Sequence, residues 1–163
     1  MRSLLLGVQS FQGILNCLLI PVKLLEVYLQ ICRTPNQNEK KNHPERLIYM
    51  TETGIRVRSK SELLIANALF QKGIPFSYEA VLALGGKNRE PDFTIYRPSD
   101  GKLFIWEHFG LMDENVYLQT TNEKIAFYAR YGFHPFKNLI FTYEEDIQNP
   151  AHIHAIINMF FSR

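Results

Sequence analysis

Cysteine is scarce in this 163-residue chain. Its two copies, Cys17 and Cys32, lie fifteen positions apart with no histidine or further cysteine at ligand spacing. That excludes a cysteine-based metal motif, and a reduced, cytoplasmic setting is the expectation. Net charge is also small, +2, so no overall field draws the chain to nucleic acid and any basic patch must be local. Long apolar runs are missing. Residues 1–34 carry Leu4-Leu5-Leu6, Ile14-Leu15, Leu18-Leu19-Ile20 and Leu24-Leu25, but Gln9, Ser10, Gln12 and Asn16 interrupt them. A spanning helix needs about 20 nearly unbroken apolar residues. Arg2 before leucines is signal-peptide-like, yet no small-x-small cleavage site follows. Pro21 breaks or kinks any continuous helix there. The segment therefore reads as two amphipathic pieces, about 4–19 and 22–32, that pack on the core or on a protein partner, with no membrane span. Internal repeats and low-complexity tracts are absent as well.

What is present suffices for one domain: 46% of residues are hydrophobic, enough for a real core. Residues 33–46 hold Pro, Asn, Gln, Lys, Glu and His and almost nothing apolar. A linker over 35–54 is expected between the N-terminal helical segment and a compact domain at 55–163, with Leu47-Ile48-Tyr49-Met50 adding a short extended piece. Ser59 with Glu62 three positions on is capping-box spacing, and predicts a helix to about Lys72, stopped by Gly73 and Pro75. A strand is expected over 76–84, then a hairpin turn at Gly85-Gly86-Lys87-Asn88-Arg89. Two strands, 90–95 and 102–108, flank a turn at Arg97-Pro98-Ser99-Asp100-Gly101. A helix over 114–131 ends at Gly132, a strand covers 137–143, and a last helix over 150–161 carries Ile153, Ile156, Ile157 and Phe160 at packed-face spacing. The order is helix, three strands, helix, strand, helix.

Two residues stand out in that frame. Asp92 and Glu107 lie in strands that are otherwise mostly apolar. Strand interiors disfavour Asp, and a carboxylate there needs a cation, a metal or a proton. Acids on paired strands lie about 5 Å apart, close enough to share a divalent ion. Glu62 has two readings: it caps its helix, or it faces the strand acids from the first turn.

Glu62 in the first helix, Pro91-Asp92 at a strand start and Glu107 at the end of the next strand resemble the PD-(D/E)XK nuclease superfamily. Val57-Arg58-Ser59-Lys60-Ser61-Glu62 and Trp106-Glu107-His108-Phe109-Gly110-Leu111-Met112-Asp113 look like a bacterial branch of it, with members attached to helicases or standing alone. The resemblance covers about 55–161. It implies an α/β, restriction-endonuclease-like core with a small central mixed sheet, here with an N-terminal helical extension. It implies a metal-dependent nuclease acting on DNA, with Mg²⁺ or Mn²⁺ on Glu62, Asp92, Glu107 and the His108 carbonyl. One departure matters: the pattern expects Lys two positions after the second acid, and Phe109 stands there. Lys124 is the candidate replacement, since Tyr117, Lys124, Tyr128 and Tyr131 share one helix face; it is otherwise solvated surface. The His108 side chain is a weaker substitute, because strand alternation turns it to the opposite face. Arg56, Arg58, Lys60, Lys87 and Arg89 are candidate phosphate contacts. The alternatives are a non-catalytic module of the same fold, binding nucleic acid or a helicase-type partner, and, more distantly, a membrane-associated protein.

Overall fold

The computed structural model describes residues 42–97, 99–110 and 114–162. The expected helical pieces at 4–19 and 22–32, and the start of the expected linker, lie outside the described residues. After a 3-10 turn at Pro44–Arg46, the chain forms β1 (Tyr49–Met50), β2 (Arg56–Val57), α1 (Lys60–Gln71), β3 (Phe76–Tyr78), β4 (Leu82–Leu84), β5 (Lys87–Arg89), β6 (Phe93–Arg97) and β7 (Lys102–Phe109). Then come α2 (Glu114–Arg130), β8 (Leu139–Tyr143), α3 (Glu144–Ile147) and α4 (Pro150–Phe161). The fold is mixed α/β. Its centre is a four-stranded sheet in the order β3-β6-β7-β8. β3, β6 and β7 run antiparallel, and β8 lies parallel to β7 after the α2 crossover. Among the described residues, no helix is long and apolar enough to cross a membrane.

Alternation along β7 divides the molecule into two packed layers. Phe104 and Trp106 join Phe93 and Ile95 in a core with Ile65 and Leu69 of α1, Ile147 of α3, and Ile153 and Ile157 of α4. Leu103 and Ile105 face the other way, against Phe127 and Tyr128 of α2 and Leu82 of the β4–β5 hairpin. Gly85 and Gly86 turn that hairpin with φ 56° and 77°, where glycine alone is unstrained. A Cβ on Gly85 would lie 2.2 Å from the Tyr131 hydroxyl, so the missing side chain is what lets the hairpin close on α2.

Three expectations change. The strand over 76–84 breaks at Glu79, φ 45°, and β4 leaves the central sheet to pair with β5. The cause is long-range: Arg58 Nε donates to Glu79 Oε1 and its Nη2 to Oε2 at 3.0 Å, while the Glu79 N–H donates to the Asp92 carbonyl at 3.1 Å. Lys87–Arg89, expected as turn, is therefore a strand. The folded region also begins before Ile55, because β1 pairs with β2 and Leu47, Tyr49 and Ile55 pack on the core. The short α3 has too few residues to show a helical period.

The turn between β6 and β7 is held by Arg97, whose Nε and Nη2 donate to both oxygens of Asp100 at 2.8 and 2.7 Å. Its Nη1 donates to the Phe160 carbonyl at the end of α4, and its guanidinium lies 4.7 Å above the Phe104 ring. The Arg97 hydrogen bonds, with help from Lys102, hold the Asp100 carboxyl well below the usual carboxylate range. A depressed folded value means stability that is present above the unfolded carboxylate value and lost as pH falls through the folded one. Asp100→Asn should therefore lose about 1 kcal/mol at pH 7 and nothing at strongly acidic pH. Urea denaturation of both proteins across that range checks it.

Candidate active site

Glu107 sits near the C-terminal end of β7, on the face turned to α2, and is 1% exposed. A carboxylate that deep needs partners. Lys124 Nζ donates to Oε2 at 2.6 Å and the Tyr128 hydroxyl donates to Oε1 at 2.6 Å. Lysine and tyrosine are four apart on α2, hence stacked on one face. Burial first, and then the Glu107 charge, push the Tyr128 phenol upward, so it stays a proton donor. The Tyr117 side chain, expected on the same stripe, lies outside the described residues.

Asp92 immediately precedes β6. The β6–β7 ladder ends at Phe93↔Trp106, and one further step along that register sets Asp92 opposite Glu107. Asp92 Oδ2 accepts from the His108 N–H at 2.7 Å. Burial, and after it the Glu107 carboxylate, push the Asp92 carboxyl well above its ordinary range; the His108 N–H and Lys124 pull it down, and Glu62 adds a smaller upward push. Three acids and one lysine thus share an electrostatic neighbourhood.

Of its two expected roles, Glu62 shows the capping one. The capping box with Ser59 is formed. Its Oε2 accepts from the Arg58 N–H at 2.8 Å, the Ser59 N–H at 3.2 Å and the Tyr78 hydroxyl at 2.7 Å. Burial first, then Glu62, push the Tyr78 phenol up and keep it a donor.

The His108 side chain is on the opposite face from Glu107. Its Nδ1 is 3.2 Å from Thr142 Oγ1 and its Nε2 3.2 Å from Glu144 Oε2, while Ser61 Oγ donates to Glu144. It cannot stand in for the lysine absent at 109. Its backbone is another matter: Ile105 N–H points to Asn138 on the β8 side, so residue 108, three on, turns its N–H and carbonyl to the Asp92 edge.

The five basic candidates separate. Arg58 is held internally by Glu79 and by the His43 carbonyl, the latter at 3.0 Å. Arg56 in β2 and Lys60 at the start of α1 are exposed. Lys87 and Arg89 are exposed on the hairpin beside α2, with the Arg89 guanidinium 4.2 Å above the Phe127 ring. Tyr128, Tyr78 and Glu144 were not singled out as site residues in the sequence. Only Tyr128 left a trace there, its spacing of four from Lys124.

Among the described residues, no group of three or more His, Cys, Asp or Glu is spaced to hold a metal ion. The donor set still fits a hard divalent cation, because it is all oxygen and its acids outnumber the lysine. Mg²⁺ commonly rests on one or two carboxylates, with water and phosphate completing its shell. Among the described residues, Thr121 Oγ1, one turn before Lys124, is buried without a hydrogen-bond partner, as at a position completed by water or ligand.

No family model matches this chain, and no curated protein or solved structure matches it. The class that geometry defines is a mixed α/β domain with an opposed carboxylate pair at the end of a sheet and a helix-borne lysine on one of them.

The raised Asp92 value has a definite sign. Its contribution favours folding below the unfolded carboxylate range and is lost as pH rises through the folded value. In chelator, Asp92→Asn should therefore be more stable than wild type at pH 7, by roughly 1 kcal/mol, the common scale of single substitutions. The gap should close near pH 4, about the unfolded Asp value. Denaturant midpoints at both pH values measure it, and a variant less stable than wild type at pH 7 would refute the repulsion.

Proposed function

We propose that this protein is a divalent-metal-dependent nuclease of the PD-(D/E)XK type, with a restriction-endonuclease-like core, hydrolysing phosphodiester bonds of DNA. The observation that carries the reading is the 2.6 Å contact of Lys124 with Glu107 on the strand facing Asp92. It puts a cation from α2 beside the acids although position 109 holds Phe. The three antiparallel strands, helical crossover and parallel fourth strand support the same reading.

Asp92 and Glu107 would hold Mg²⁺ or Mn²⁺, with the His108 carbonyl on the same edge and Glu62 acting through water. The ion, when bound, supplies charge neutralisation at the phosphate and a water of lowered pKa. Lys124 stabilises the negative charge that builds on the phosphoryl oxygens as the bond from water to phosphorus forms and the ester P–O bond breaks. Tyr128 holds Glu107 Oε1 and thereby fixes the orientation of that carboxylate. The His108 N–H does the same for Asp92.

A second reading is a non-catalytic module of this fold that binds nucleic acid or a helicase-type partner. It is favoured by one fact: both Glu107 oxygens are already engaged, by Lys124 and Tyr128.

With Mg²⁺ or Mn²⁺, the wild type should cut supercoiled and linear DNA. Asp92→Ala should abolish cutting, and Lys124→Ala should slow it by about 10²–10³. Cutting lost only in Asp92→Ala would remove Lys124 from the mechanism. A pure wild type that leaves every DNA intact would sink the enzyme and leave the binding module.

A further inference from the structure

Phe136 combines two features that folding alone disfavours: its side chain belongs to a residue 92% exposed, and its backbone has φ 62°. Large side chains avoid that left-handed conformation, and residues held in it against their preference cluster at binding sites. The loop that carries it is tightly tied. The His134 carbonyl accepts from the N–H groups of Lys137, Asn138 and Leu139, and the Asn138 side chain bridges the His134 N–H at 3.0 Å and the Gly132 carbonyl at 3.2 Å. Phe133 anchors it from below against Tyr128, with ring centroids 6.3 Å apart. The ring is thus presented by a fixed scaffold.

Aromatic and basic groups connect that end of α2 to the carboxylates. Tyr128 touches Glu107; Phe127 packs on Tyr128 at 5.7 Å and on Tyr131 at 5.1 Å; Arg89 lies over Phe127; Tyr131 meets the hairpin at Gly85. Lys87 on β5 and Lys137, next to Phe136 in the chain, are exposed. Glu90 accepts from Asn42 at 3.0 Å and Glu123 from Gln119 at 3.3 Å, contacts that leave both negative charges in place. Tyr128 is buried, so the rings of this group open to solvent are Tyr131 and Phe136; with the exposed cations they suit a strand of nucleic acid with unstacked bases, in which phosphates take the cations and base faces take the rings. A duplex keeps its base faces stacked and offers the Phe136 ring nothing comparable.

We infer that the β4–β5 hairpin and the C-terminal half of α2 form a track for single-stranded nucleic acid, with Arg89 and Lys87 on phosphates and Phe136 stacked on an unpaired base. It rests on the nuclease reading for its substrate class and extends it to strand type: the unpaired strand reaches the acids along α2.

The test is fluorescence anisotropy of a labelled oligothymidylate and of a blunt duplex, in chelator so that nothing is cut, across a salt series. Phe136→Ala should weaken single-strand binding roughly 5- to 150-fold, with its salt slope unchanged. Arg89→Ala and Lys87→Ala should each make the slope of log K against log salt shallower by about 0.7. Phe136→Ala should melt no lower than wild type, since it removes only an exposed ring. Equal single-strand affinity in wild type and Phe136→Ala, or a preference for duplex, overturns the track and would leave the ring to a protein partner. DNA cleavage by the wild type would then keep the nuclease reading alone, whereas absence of both cleavage and binding would remove that reading as well.

Discussion

A carboxylate buried to 1% exposure at the end of a sheet strand sets the terms for everything around it. Removing Glu107 from water is unfavourable unless a cation and hydrogen-bond donors come with it. Both come from α2, which must therefore dock with Lys124 and Tyr128 over β7. That docking places Phe127 and Tyr131 where the β4–β5 hairpin closes on them, which in turn requires a glycine at position 85. Among the described residues, no lysine or arginine is bonded to the opposite acid, Asp92. It accepts from the His108 N–H, and burial together with the Glu107 carboxylate disfavours its ionised form. An arrangement that leaves a carboxylate disfavoured in the free protein is what a bound cation would relieve.

His108 couples this face of the sheet to the other. Its N–H holds Asp92 among the acids, while its ring is clasped by Thr142 and Glu144 on the α1 side. Thr142 also accepts from Trp106 Nε1 at 2.8 Å, and Ser61 at the start of α1 donates to Glu144. The strand end is therefore fixed from both faces, and the position of the Asp92 carboxylate depends on side chains that never face it. The Glu-His pair matters less for the histidine's acid–base chemistry than for where its backbone sits.

Most of the architecture was legible from local signals. The Ser59–Glu62 capping box, Gly132 after α2, and the apolar period of the last helix all act within a few residues, and these elements fall where expected. The acid pair was legible for the same reason: a turn of fixed length between β6 and β7 sets which residues face each other. What was not legible depended on partners far along the chain. The break at Glu79 follows from an ion pair with Arg58, twenty-one positions away, and β1 owes its place to β2 and the core. Arg58 looked like a phosphate contact because a basic residue before a helix carries no mark of whether its partner is protein or ligand. The Lys124 contact was accessible only as a conditional: the helical period gave the face, but nothing local said which way that face would turn.

Under the nuclease reading, Phe109 bears on how a lysine from the helix would serve where the strand has none. It lies two residues after Glu107 and so projects on the same face, the position from which the PD-(D/E)XK pattern would extend its lysine. Its ring packs beside Phe141 at 5.5 Å and Tyr143 at 6.0 Å, and is 5% exposed with its residue. Lys124 Nζ lies 5.2 Å above that ring while it reaches Glu107. A cation over an aromatic face gains about 0.5–1 kcal/mol at exposed sites and more when desolvated, and the flat ring confines the lysine chain in a way that water would not. A lysine at 109 would bring a second positive charge against Lys124 and remove this shelf. Under the nuclease reading, the two substitutions are therefore one change: once the cation comes from α2, the strand position is best filled by something that holds that cation in place. The same logic makes Phe109 a positioning residue for Lys124, and ties the geometry of the acids to an aromatic stack that runs from β7 to β8.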